Sequence, residues 1–157
     1  MNFLIVTGLS GAGKSMAVNA LEDIGFFCID NIPAGLLPRI LDFAQQGENQ
    51  LSRVAVVMDI RGLHSVQETN EALEALDEKK MPYDILFLDA SDAAIRRRYK
   101  ETRRVHPMTI SEGIPVSEAI TKERQILQPL RERAKYVIDT SLLSTAQNRE
   151  RVSSLFL

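Results

Sequence analysis

The run Gly8-Leu9-Ser10-Gly11-Ala12-Gly13-Lys14-Ser15 is the stretch of this chain whose residue types and spacing most directly imply chemistry. Glycines at 8, 11 and 13 leave no Cβ to obstruct a backbone that curls around an anion, so successive N–H groups can turn inward. An apolar run at 3–6 leads into the loop and a helix-forming segment leaves it, so the helix adds its free amides and positive dipole end to the same spot. GxxxxGK[ST] between a strand and a helix is the P-loop. Lys14 is expected to reach β- and γ-phosphates and Ser15 to offer its hydroxyl to Mg²⁺. The competing reading, a glycine-rich turn that binds nothing, requires neither Lys14 nor Ser15 after the last glycine.

In a parallel α/β sheet a ligand lies beyond the carboxyl ends of the strands, so acids that close apolar runs come next. Asp59 follows Val56-Val57-Met58 and is placed as the carboxylate that holds the Mg²⁺ hydration shell beside Ser15; an acid that merely starts a turn is the alternative. Asp59-Ile60-Arg61-Gly62 also reads as DxxG, a pattern by which GTP-binding switch proteins set an amide near the γ-phosphate. The chain has no NKxD to read guanine, so ATP against GTP stays open. Asp30, followed by Asn31-Ile32-Pro33, lies where a small-molecule kinase orients or deprotonates an acceptor hydroxyl, with a turn acid as its alternative. Asp89, ahead of Ala90-Ser91-Asp92, reads as a helix cap.

Residues 96–104 carry six positive charges against one negative, and Arg96, Lys100 and Arg103 share a helical face. Such a segment can be a lid that closes over phosphates and supplies an arginine to the transition state, with Arg97, Arg98, Arg103 and Arg104 as candidates. It can equally be a contact surface for RNA or protein, or a solvated face with no partner. His64 and His106 are isolated in sequence and read as surface histidines.

The elements that must position these groups alternate along the chain. Strands are predicted at 3–6, 26–29, 54–58, 85–88 and 136–138, and helices at 14–24, 33–46, 65–79, 93–102, 117–135 and from 144 onward. Residues 47–50 read as a polar connection and 103–116, with Pro107, Gly113 and Pro115, as a mobile loop. Ser117 is the expected cap of the helix that follows, and Pro129 is expected to kink or split it. Five strands with helices between them describe an α/β fold, a doubly wound parallel sheet of the P-loop NTPase class, kinase-like with an arginine-rich lid.

A chain of 157 residues makes one domain, able to remove roughly 70% of its unfolded surface from water. A net charge of −2 gives no global attraction to nucleic acid or anionic lipid, so any such binding needs a local patch. The single cysteine, Cys28, excludes an intrachain disulfide and fits a cytoplasmic address, its apolar surroundings suggesting a small buried hydrophobe. No basic residue precedes the first apolar run, which enters the P-loop directly and so reads as a core strand and not a leader. No run approaches the roughly 20 apolar residues of a membrane helix.

Taken together, the P-loop, the stretch 20–33, Asp59-Ile60-Arg61-Gly62, Leu86-Phe87-Leu88-Asp89-Ala90, the run 98–107 and Val137-Ile138-Asp139-Thr140-Ser141 resemble the RapZ/YvcJ nucleotide-binding family, whose members include RNase adapter proteins. The resemblance spans nearly the whole chain and implies a bacterial, cytoplasmic protein that binds ATP and GTP with Mg²⁺ and hydrolyses them slowly. By the same resemblance, residues 8–15 are the ATP segment and 59–62 the GTP segment. It further implies that 1–157 is the N-terminal, nucleotide-binding domain of a longer protein. RNA or a regulatory protein is then expected to bind through the missing C-terminal domain, and self-association is left open.

Overall fold

Five apolar runs form one all-parallel sheet in the computed structural model, which describes residues 2–45 and 52–157. β1 (Asn2–Gly8) is central, between β3 (Arg53–Val57) and β4 (Asp84–Asp89), with β2 (Phe27–Ile29) and β5 (Tyr136–Asp139) at the edges. Phe3, Leu4, Ile5 and Val6 are all buried, because helices cover both faces of the sheet and leave β1 no polar side. On one face α1 (Lys14–Asp23) packs against α7 (Thr145–Phe156); elsewhere α3 (Val66–Glu78) packs against α6 (Val116–Arg133), which also meets β1 and β4. Smaller helices complete the chain: α2 (Leu37–Gln45), α4 (Asp92–Thr102) and α5 (Pro107–Glu112). The strand order β2-β3-β1-β4-β5 sends the connections on either side of β1 in opposite directions, which opens a crevice at its carboxyl end, where the P-loop begins.

Several expectations need correction. Residues 103–116 are not one irregular loop, since α5 occupies 107–112. Pro107 stands at its first helical position, where a missing N–H costs nothing, and His106 caps it by accepting the Met108 amide at Nδ1, 3.0 Å. Ser117 does not cap α6, which starts one residue earlier after Pro115 with no side-chain cap. Pro129 does not split α6, which runs unbroken to Arg133; the residue four back, Gln125, is exposed, so water can serve the carbonyl that loses its partner.

Pro33 does not begin a regular helix either: a 3₁₀ turn, Ala34–Leu36, precedes α2. The connection expected at 47–50 and the helix end expected at 46 lie outside the described residues. Asp89 is not a cap. Ser91 takes that role by accepting the Ala94 amide, while Asp89 receives Arg124 at 3.0 Å and Arg131 at 3.1 Å. Cys28 is half-buried, not enclosed, and burial pushes its thiol up to about 11. Among the described residues no helix is long and apolar enough to cross a membrane.

Candidate functional site

The P-loop leaves β1 through Gly8, whose φ of +145° and position leave no room for a side chain: a Cβ there would lie 2.2 Å from the Leu88 carbonyl oxygen of β4. The turn is then closed by the Leu9 amide on Leu88 O at 3.1 Å and the Ala12 amide on Leu9 O at 3.0 Å. From outside, the loop's carbonyls are held by side chains distant in sequence. Thr140 Oγ1 donates to Ala12 O at 2.7 Å, and Arg98 Nη1 donates to Gly11 O at 3.0 Å while its other nitrogen reaches Thr140 O. With the carbonyls braced outward, the amides of Gly11, Gly13, Lys14 and Ser15 make no hydrogen bond to any described residue. The last two belong to the first turn of α1, where N–H groups lack a helical acceptor and carry the positive end of the dipole.

Lys14 folds back over this nest, its Nζ donating to Gly8 O at 3.0 Å and Leu9 O at 3.1 Å. Burial lowers its pKa below the ordinary lysine value, outweighing the nearby carboxylates of Glu123, Asp59 and Asp30, which act in the other direction. Ser15 is exposed at the second helical position.

Asp59 follows β3 and is 7% exposed. Burial by itself would raise its pKa, but hydrogen bonds from Arg61 and the charge of Lys14 prevail and hold the carboxyl below its usual range. Arg61 covers both oxygens: its amide (2.9 Å) and Nε (3.0 Å) donate to Oδ1, and Nη2 donates to Oδ2 at 2.7 Å. The same Nη2 reaches Asp30 Oδ1 at 3.2 Å, so Arg61 bridges two of the three acids singled out from the sequence. Ile60 is buried, and Gly62 has a packing reason of its own, since a Cβ there would meet Ile32 O at 2.7 Å. The 59–62 turn thus docks tightly against the 30–33 corner.

No group of three or more His, Cys, Asp or Glu residues suited to a metal occurs among the described residues. A Mg²⁺ in a nucleotide site needs no such cluster, because it takes most of its ligands from phosphate and water and only one or two from protein. The hydroxyl of Ser15 and the carboxylate of Asp59 are hard oxygen donors that fit such an ion, provided Arg61 releases an Asp59 oxygen.

His106 is not a surface residue, being 1% exposed, and it meets the fully buried Glu123 of α6 with Nε2 3.0 Å from Oε1. Since Nδ1 accepts the Met108 amide, the ring proton is on Nε2 and is donated to Glu123. Glu123 also accepts the Ser10 amide at 3.0 Å to each oxygen and the Ser10 hydroxyl at 2.6 Å. The Tyr99 ring lies 5.7 Å from that of His106, and burial pushes its phenol up to about 12. The P-loop is therefore tied to α5 and α6 through one buried chain of side chains.

Of the arginine candidates, Arg98 reaches the P-loop from behind, whereas the side chains of Arg97, Arg103 and Arg104 are exposed and make no hydrogen bond to a described residue. Arg103 caps α4 with φ +56°, a left-handed conformation uncommon for a side-chain-bearing residue. The roles of Thr140, His106 and Glu123 were not anticipated from sequence. Glu123 did leave a signal: it interrupts the buried stripe Ala119, Ile120, Ile126, Leu127, Leu130 of α6, where a charge demands a partner.

The fold has solved counterparts. The shikimate kinase of Bacteroides thetaiotaomicron superposes with a TM-score of 0.57 at 16% identity, over 98% of this chain and 96% of that one. At that identity the likeness speaks for the fold, that of a P-loop kinase. In sequence, a nucleotide-binding protein of Moorella thermoacetica is 50% identical over 98% of this chain and 52% of its own length. One of Alkaliphilus oremlandii is 43% identical over 100% of this chain and 53% of its own. This chain thus spans about half the length of the curated relatives it matches. The family model described as the RapZ-like N-terminal domain matches residues 1–157, and the chain belongs to that family of nucleotide-binding domains.

Proposed function

We propose that residues 8–15 bind ATP and GTP with Mg²⁺ and that the site hydrolyses them slowly. The observation that carries this reading is the set of amides at Gly11, Gly13, Lys14 and Ser15, which make no hydrogen bond to a described residue, in the same loop whose Gly8 and Leu9 carbonyls hold the Lys14 ammonium. Phosphate oxygens are the acceptors such a nest suits. Lys14 and the α1 dipole would offset charge on the phosphates, and Ser15 with Asp59 would hold Mg²⁺, which supplies charge neutralisation at the transferred group. Slow turnover is in keeping with the exposed state of Arg103 and Arg104, whose side chains make no hydrogen bond to the loop. Titration of the chain with Mg-ATP and Mg-GTP, followed by release of phosphate, tests the reading. Absence of heat with either nucleotide would sink it.

A second reading is favoured by one contact. Arg61 joins Asp30 to Asp59 in the corner beside the loop, where a kinase of this fold would seat an acceptor, and in this reading Asp30 would orient its hydroxyl. Formation of ADP that rises with an added polyol or hydroxy acid, with phosphate appearing on the acceptor and not in solution, would select this alternative. Contact with RNA or a regulatory protein, and a cytoplasmic address, belong to the whole protein; for this half, exposed Arg96, Arg97, Lys100, Arg103 and Arg104 are the surface that salt-dependent RNA binding would use.

A further inference from the structure

We propose that Glu123 stands in the place of a nucleotide's terminal phosphate, so that the closed site accepts a diphosphate and a triphosphate enters only by breaking the chain from Ser10 through Glu123 to His106. The proposal rests on nucleotide binding at residues 8–15. The loop's donors fall into two groups. Gly11, Gly13, Lys14 and Ser15 offer amides with no acceptor among the described residues, which is room for one phosphate at the helix end. Ser10, one step earlier in the loop, has both its donors spent on an anion supplied by the protein: amide at 3.0 Å and hydroxyl at 2.6 Å, both on Glu123.

Lys14 ties this anion to the phosphate path. Among the carboxylates that act on its charge, Glu123 exerts the largest effect, ahead of Asp59 and Asp30. The cation expected to meet β- and γ-phosphates thus already feels, without direct contact, the carboxylate that Ser10 holds. Nor is this carboxylate free to swing into water. It is fully buried, and His106 donates to it from a ring whose other nitrogen is taken by the Met108 amide. A terminal phosphate brought beside a fixed carboxylate, away from bulk water, meets like-charge repulsion that screening does little to relieve. Because His106 is also the cap of α5, displacing Glu123 loosens that helix, which couples the number of phosphates bound to the order of residues 107–112.

Calorimetry on the full chain with Mg-ADP and with a Mg-bound non-hydrolysable ATP analogue tests this, on the parent and on Glu123→Gln, which keeps the shape and one acceptor but removes the charge. The diphosphate is expected to bind the parent at least about tenfold more tightly than the triphosphate analogue, and the ratio is expected to fall to within about threefold in Glu123→Gln. Hydrogen exchange on the parent gives a reading that does not depend on the variant folding: residues 107–112 should exchange faster with the triphosphate analogue than with ADP. A folded Glu123→Gln that keeps the parent's ratio overturns the inference, as does a parent that binds both nucleotides equally with no change in exchange. Failure of the parent to bind either nucleotide overturns the nucleotide site and this inference with it.

Discussion

Replacing Lys14 by Ala removes the charge expected to meet the phosphates while sparing the fold, and the two effects can be separated in magnitude. In the free protein Lys14 Nζ makes two hydrogen bonds, to Gly8 O and Leu9 O. Losing them costs about 1 kcal/mol each, but the variant also escapes the cost of burying an ammonium, the same cost that lowers the Lys14 pKa. Alanine suits the first turn of α1 at least as well as lysine. The net change in stability should stay within about 1 kcal/mol, a shift of roughly 2–4 °C in Tm for a chain of this size.

The loss of affinity is larger. A unit charge about 4 Å from a phosphate oxygen at an effective dielectric of ~20 is worth about 4 kcal/mol, from which the lost carbonyl contacts subtract about 1–2. A net 2–3 kcal/mol corresponds to roughly 30- to 150-fold weaker binding. Thermal melting reads both quantities at once: nucleotide at about 100 times the parent Kd contributes about 2.7 kcal/mol to the parent and about 0.3–0.9 kcal/mol to the variant. A variant stabilised by nucleotide as strongly as the parent would refute the assignment of Lys14. One that is unfolded without ligand would refute the claim that its charge serves the ligand and not the fold.

Asp59→Asn is expected to weaken the Mg²⁺ dependence of binding and hydrolysis more than Asp30→Asn or Asp89→Asn, since Asp89 is already held by Arg124 and Arg131; a greater loss from Asp30→Asn would favour the kinase reading. Arg61→Ala removes the guanidinium from both Asp59 oxygens and leaves Oδ2 free, with only the backbone amide of residue 61 on Oδ1, and equilibrium titration should show Mg²⁺ binding to the nucleotide complex more tightly, about 3- to 10-fold. For pH the sign follows from Lys14: its pKa in the free protein lies below 10.5, and bound phosphate favours the charged form. Affinity should therefore be constant below the free-state value and fall as pH rises through it, approaching tenfold per unit, and calorimetry from pH 8 to 10.5 should show that fall in the parent and none in Lys14→Ala. Gly8→Ala places a Cβ against Leu88 O at φ +145°, so it should cost about 3 kcal/mol or more, read as a Tm drop of roughly 6 °C or more.

The parts legible in the sequence were those that physics writes locally. A strand covered on both faces has to be apolar where it is covered, and β1 is over 3–6 and β3 over 54–57; a backbone that turns at φ +145° against a neighbouring strand has to be glycine, and Gly8 is. What stayed hidden depends on pairs far apart in the chain. Ser10 and Glu123 are 113 positions apart, and Arg98 and Gly11 are 87 apart, so no spacing rule joins them. Pro107 misled for a related reason: proline interrupts a helix or opens one, and the deciding contact, His106 to Glu123, lies on another element. Even so, the buried stripe of α6 held a usable clue. An acid within it has to find donors or lose its place in the core, and the donors near the sheet's carboxyl end are those of a loop built from unpaired amides. Reading Glu123 as a demand for a partner, and not as an exception to a helical pattern, leads from α6 to the P-loop before any coordinate is known.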